Sequence, residues 1–409
     1  MGVSPYFSSP GPLCAAGALA LLLFCVAYFA AFDPFPAASL APGGALRIPL
    51  PAAPCHPVFV RYVPSALEED WAAHLSSFPR STVRERSFCG DVVGARFREP
   101  LQAWVRAAAA QNAAHPASRA EAEAAAAALR RNGVFSHFEY RDSCSGAASE
   151  ARVAPLAGLL RDPRGPCTWG CCGPPEAATG DGAYLANPFE PNTEDIQTKD
   201  TVVVDPSHVA AVARGLAEAR AAGRAPRAIL LDAGASNYRQ EGPKSGRVFA
   251  EWPGTRWLVE RYRDLGVNFT DLFAWELEPK PGFAFFEGMP PDLVAATHFY
   301  NFGVSAEAGH PANPLTVLKA VARPGDFVVF KLDIDTGSIE APIVEALLAD
   351  DHARSLITDF YYELHYRGKD MHLFWRYSFT PDSPDLVGAA AIFRALREKG
   401  LKAQMWPLT

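Results

Sequence analysis

The side chains with chemistry to offer fall at the ends of apolar runs. Residues 227–237 read RAILLDAGASN, an apolar stretch of strand length that stops at Asp232 and passes into Gly234, Ala235 and Ser236. A glycine there lets backbone and ligand approach closely, because any Cβ would collide. Residues 269–276 end on Glu276, with Glu278 just beyond. A carboxylate at such a place accepts two hydrogen bonds from a ribose diol, which needs an acceptor-only partner. Residues 296–302 carry Asn301, residues 327–333 carry Lys331 and Asp333 with Asp335 two residues on, and residues 356–364 lead through Glu363 to His365.

The turn after Asp232 is not the three-glycine dinucleotide fingerprint, since Ser236 and Tyr238 stand where later glycines would fall. One glycine with small neighbours suits a nucleoside ligand without phosphates, such as S-adenosylmethionine. Histidine is the side chain best suited to act as a base near neutral pH, which singles out His365.

The elements that position these residues alternate. Asp205 and Pro206 open a helix over 206–222, and the strand ending at Asp232 follows. A helix over 255–265 stops at Gly266 and precedes the strand ending at Glu276. Asn313-Pro314 opens a helix before the run FVVFKLD at 327–333, which is apolar on both faces as a central parallel strand should be. A helix over 338–349 separates it from the strand at 356–364. Ser383-Pro384-Asp385 begins a last helix to Lys399, and residues 402–406 close the pattern. This rhythm predicts an α/β fold with a doubly wound, Rossmann-like sheet that binds ligands outside the carboxyl ends of its strands.

Residues 1–32 contain no charged side chain, and 12–32 form an apolar run of membrane-spanning length, about 20 residues. They predict a transmembrane helix, followed by a Pro/Ala-rich stem to residue 54. Of eight cysteines, Cys55, Cys89, Cys144, Cys167, Cys171 and Cys172 all lie between that stem and residue 200. This distribution predicts a disulfide-stapled region in an oxidising compartment. Together with a sequon at Asn268-Phe269-Thr270, it predicts a single-pass membrane protein of the Golgi or ER with its bulk in the lumen. The expected organisation is 1–54 for cytoplasmic tip, anchor and stem, 55–200 for a cysteine-containing region without assigned chemistry, and 201–409 for the α/β domain. A net charge of −7 without a basic cluster gives no reason to expect a nucleic-acid partner.

Taken in order, DAGAS, FAWELEP, HFYNFGVS, FKLDID and the following IE resemble the FkbM-type branch of S-adenosylmethionine-dependent methyltransferases, over residues 228–363. That family carries an acidic-x-Gly-Ala-Asn turn, a second strand ending in Glu-Pro, an Asn-containing third strand and a Lys-Ile-Asp-x-Glu-Gly motif. Here the last motif is Lys331-Leu332-Asp333-Ile334-Asp335-Thr336-Gly337, with aspartate for glutamate and the glycine displaced by one. Ser236 stands where the family has asparagine. The resemblance implies a methyltransferase sheet with S-adenosyl-L-methionine as cofactor, held by Asp232, Gly234, Ser236, Glu276 and Asn301, and no metal. Asp333, with Lys331 nearby, would face the methionine end or the acceptor, a glycan or other small-molecule hydroxyl, with His365 as base. Two alternatives come from other classes. One is a type II glycosyltransferase using Asp333 and Asp335 as a DxD metal site; the other is a catalytically inactive methyltransferase-fold binding module.

Overall fold

The computed structural model describes residues 56–76, 135–156, 204–238, 254–366 and 383–406. The chain divides into two units, Met1–Ala53 and Pro54–Thr409, and every described residue belongs to the second. The expected anchor at 12–32, the stem and most of the cysteine-containing region lie outside the described residues. Among the described residues no helix is long and apolar enough to cross a membrane.

The chain is an α/β protein built on a six-stranded parallel sheet. Its strands are β4 (Ala228–Ala233), β5 (Asp271–Trp275), β6 (Thr297–Tyr300), β7 (Phe327–Leu332), β8 (Asp359–Tyr362) and β9 (Ala403–Met405), in the order β6-β5-β4-β7-β8-β9. Both central strands, AILLDA and FVVFKL, are buried at every residue. Side chains alternate between faces along a strand, so two separate cores result. Ile229, Leu231, Val328, Phe330 and Phe360 pack on one face against Leu318, Val344, Leu347 and Phe393. Leu230, Leu272, Val329 and Tyr361 pack on the other against Val209, Leu258 and Tyr262. Each large aliphatic side chain buried this way contributes about 1.5–3 kcal/mol. A sheet covered on both faces is doubly wound, as its sequence pattern predicts.

The covering helices begin where their capping residues dictate. Asp205 accepts from the Ser207 and His208 N–H groups at the start of α2 (Pro206–Ala221), after α1 (Ala66–Ser76). Helix α3 covers Thr255–Asp264 and a short α4 covers Pro291–Ala295. Asn313 accepts from Leu315 and Thr316 N–H to start α5 (Pro314–Val321), and Asp385 accepts from Gly388 N–H to start α8 (Leu386–Glu398). Each cap satisfies backbone donors that have no partner inside the helix. Between β7 and β8 stand α6 (Gly337–Ala349) and α7 (Asp351–Leu356). Here the structure departs from the sequence pattern. Asp350 caps a turn of helix by accepting from Ala353 N–H, so Leu356, Ile357 and Thr358 precede the strand instead of opening it.

A second, antiparallel sheet orders β1 (Pro57–Val63), β2 (Ser136–Asp142) and β3 (Ala148–Val153) side by side. Cys144, in the β2–β3 turn, is disulfide-bonded. The sheet joins the α/β layer through buried polar contacts. Asp205 Oδ2 accepts from the Arg152 N–H at 2.8 Å, tying β3 to the cap of α2. Glu68, fully buried on α1, accepts from Tyr62 Oη and Ser136 Oγ at 2.7 Å and from Leu156 N–H at 2.9 Å, and pairs with Arg397 of α8 at 3.3 Å.

Candidate functional site at the carboxyl edge

Strand order reverses between β4 and β7, and in a doubly wound sheet the crevice outside the carboxyl ends at that point receives the ligand. The geometry there follows from register. Asp232 of β4 pairs with Lys331 of β7, so their side chains project side by side from one face. Lys331 Nζ lies 3.0 Å from Asp232 Oδ1 and 2.8 Å from Asp333 Oδ2, and donates to the Gly234 carbonyl at 3.0 Å. The other Asp232 oxygen accepts from Thr255 Oγ1 at 2.6 Å. Asp232 is fully buried and Lys331 almost so. Burial disfavours the Lys331 ammonium, yet the two carboxylates hold its pKa above the ordinary lysine value. Burial would likewise raise Asp333, but Lys331 and its hydrogen bonds hold that carboxyl below its ordinary value. Both oxygens of Asp232 are thus engaged by protein, and Lys331 links it to the turn at Gly234.

Gly234 sits in the left-handed region at φ +88°, and a Cβ on it would stand 1.5 Å from the Asp333 carbonyl oxygen. What requires glycine here is the approach of two protein backbones. The Gly234 and Ala235 N–H groups both donate to the Trp275 carbonyl, at 3.1 and 2.9 Å, which binds the turn to the end of β5. Ser236, at φ 49°, and Asp335, at φ 53°, are the two non-glycine residues with positive φ among the described residues. They follow β4 and β7, one on each side of the switch point, where strained backbone collects at functional sites.

Glu276 is half-buried immediately after β5, and its Oε1 accepts from Glu278 N–H at 2.8 Å. Asn301 spends its amide on protein: Oδ1 accepts from Lys280 N–H at 2.8 Å and Nδ2 donates to the Lys280 carbonyl at 3.0 Å. It fixes the loop after Glu276. Asn237, not singled out from the sequence, buries its Oδ1 beside the Gly234 turn without a hydrogen-bond partner among the described residues. An open apolar groove of about 620 Å³, lined by residues including Phe283, Phe286, Met289 and Val294, lies on the β5–β6 connection and shares no lining residue with the Lys331 cluster.

His365 lies beyond β8, 4% exposed, with Nε2 3.5 Å from Asp335 Oδ1 and 3.5 Å from Glu363 Oε2. Burial and the neighbouring Asp333 push the Glu363 carboxyl well above its ordinary pKa. Glu340, at the start of α6, is pushed up to about 8 by burial, with Asp333 and Asp335 adding to the shift, although it accepts from the Ile334 N–H at 3.0 Å. The structure therefore splits the expected residues into two groups. Asp232, Gly234, Lys331 and Asp333 form one connected unit, and His365 joins Asp335 and Glu363 in another, the two meeting at a hydrogen bond between Glu363 and Asp333. Glu363 was legible as a strand-end acid, and its spacing of two from His365 was the available sign that both share a face. Comparison of the chain with protein-family models, curated proteins and solved structures finds no match in any of the three.

Proposed function

We propose that this chain is a membrane-anchored, S-adenosylmethionine-dependent O-methyltransferase acting in the Golgi or ER lumen on a glycan or other small-molecule hydroxyl. The observation that carries the reading is the Gly234 turn hydrogen-bonded to the end of β5, which sets Glu276 beside it at the carboxyl edge. Among the described residues only one Glu276 oxygen makes a hydrogen bond, leaving the other to accept from a ribose hydroxyl. The buried acceptor of Asn237 adds a second polar atom that a nucleoside or amino-acid group would satisfy. The resemblance to FkbM-type enzymes runs through the same strand ends.

In this reading Glu276 holds the ribose, and the Gly234–Ser236 turn supports the donor from below. When bound, the donor supplies an electrophilic methyl on a sulfonium. The acceptor hydroxyl must lie in line with that methyl and lose its proton as the new bond forms. Lys331 keeps Asp333 ionised and still beside the switch point, where Asp333 can orient the acceptor. His365 is the nearby group whose type suits it to take the proton. Against the glycosyltransferase alternative, Asp333 is already paired with Lys331 at 2.8 Å.

Calorimetry of the full chain with S-adenosylmethionine, and then with sugar nucleotides plus manganese, tests the proposal. Saturable binding of the methyl donor is expected. Binding of sugar nucleotides alone would overturn it.

A further inference from the structure

The strand ends one step along the sheet from Lys331 bring together a second set of side chains with different chemistry. Glu363 and His365 are two residues apart after β8, so they project to one side, and Asp335 reaches them from the turn after β7. His365 Nε2 is 3.5 Å from an oxygen of each carboxylate. One ligand atom from each of the three residues lies within 4.8 Å of the other two. Ligand atoms that share one ion at about 2.1–2.4 Å stand roughly 3–4.8 Å apart, so this spacing suits a common ion.

We infer that Asp335, Glu363 and His365 form a binding site for a divalent cation. Glu363 and His365 are 3% and 4% exposed and fix two ligands on the protein side. The Asp335 side chain is 55% exposed, so the third ligand stands at the mouth and leaves coordination positions open to water or substrate. Charge favours the same conclusion. Asp333, Asp335, Glu340 and Glu363 crowd one place, and the lysine that faces them is already shared between Asp232 and Asp333. An imidazole with two carboxylates suits ions that accept mixed nitrogen and oxygen ligands, such as zinc or manganese, better than calcium, which favours all-oxygen sites. The cation site departs from the metal-free expectation drawn from the family resemblance. If the domain transfers methyl groups to hydroxyls, a cation here would lower the pKa of an acceptor hydroxyl, and His365, as a ligand, would serve the reaction through the cation in place of taking the proton itself. That role rests on the methyltransferase reading, whereas binding of the cation does not.

The test uses manganese as the probe. The full chain is stripped with EDTA, moved to chelator-free buffer and titrated with manganese chloride, with heat and the free-ion electron paramagnetic signal read together. One saturable site is expected. Asp335→Asn should weaken it at least tenfold while keeping a side chain that tolerates the left-handed backbone. His365→Gln should do the same, and Glu278→Gln, at an exposed carboxylate paired with Lys280, should not. Thermal melting identifies any variant that has failed to fold, and Asp335→Asn, at an exposed side chain, then decides alone. No saturable manganese binding, or parental affinity in Asp335→Asn, overturns the inference. Donor binding in excess EDTA is measured separately. Its persistence without manganese uptake would remove only the cation site, and its absence with manganese uptake intact would remove only the methyltransferase reading.

Discussion

Gly234 and Asp333 touch through their backbones. A Cβ on Gly234 would stand 1.5 Å from the Asp333 carbonyl oxygen. Asp333 N–H in turn donates to the Ala233 carbonyl at 3.0 Å, so the two strand ends are laced together where the sheet's order reverses. Gly234→Ala is expected to cost well over 2 kcal/mol, because positive φ alone accounts for only about 1–2 kcal/mol. Gly309→Ala supplies the comparison, since Gly309 has φ +83° and nothing within 4 Å of an added Cβ. Equal losses in the two urea-denaturation midpoints would show that the backbone approach carries no cost.

Lys331 balances two carboxylates in a buried setting. Lys331→Met should destabilise the chain by about 3–5 kcal/mol, the usual loss when one partner leaves a buried charge uncompensated. Adding Asp232→Asn should recover part of it by removing one orphaned charge. The double-mutant cycle is read from denaturation midpoints, and additive losses would contradict the coupling.

His208 stacks on Tyr140 at 5.9 Å between centroids and joins α2 to β2. Burial lowers its pKa from 6.5 to about 4, with Lys402 adding to the shift and Asp359 and Asp205 opposing it. The folded state therefore resists a proton that the unfolded chain accepts. This contribution to stability is present above pH 6.5 and is lost as the pH falls towards 4, up to about 3 kcal/mol in all. His208→Gln should flatten that part of the stability–pH curve. An unchanged slope between pH 6.5 and 4 would assign the acid sensitivity elsewhere.

Glu276→Gln keeps the shape of the side chain and replaces an acceptor with a donor. It should weaken S-adenosylmethionine binding by about 1–3 kcal/mol, measured by calorimetry. Asn301→Ala, by contrast, should act indirectly by loosening the loop at Lys280, and so slow association more than a lost contact would. Parental affinity in Glu276→Gln would take Glu276 out of the donor site.

Much of the doubly wound sheet could be read from its strands. AILLDA and FVVFKL are apolar at both parities, and only burial on both faces explains that. The helix starts were legible because Asp205-Pro206 and Asn313-Pro314 announce their caps. The antiparallel sheet was harder to see. Its strand β1, PVFVRYV, has a burial pattern that breaks the period of two, and the register shifts between Phe59 and Arg61. At the carboxyl edge the residue types were legible but their partners were not. Nothing local to Asp232 says that Thr255 and Lys331 enclose it, because both contacts come from other elements of the fold. The reason for Gly234 likewise depends on Asp333, 99 residues later, and not on a ligand.

The burial of Glu68 ties the order of synthesis to the order of stabilisation. Its partner Arg397 lies 329 residues further along the chain. Until α8 has been made, α1 and the first strands carry an acidic group whose cationic partner does not yet exist. Loop closure over so long a separation is slow, and it must precede the contact that rewards it. The N-terminal sheet and α1 therefore lack the cationic partner of the buried Glu68 until α8 has been made.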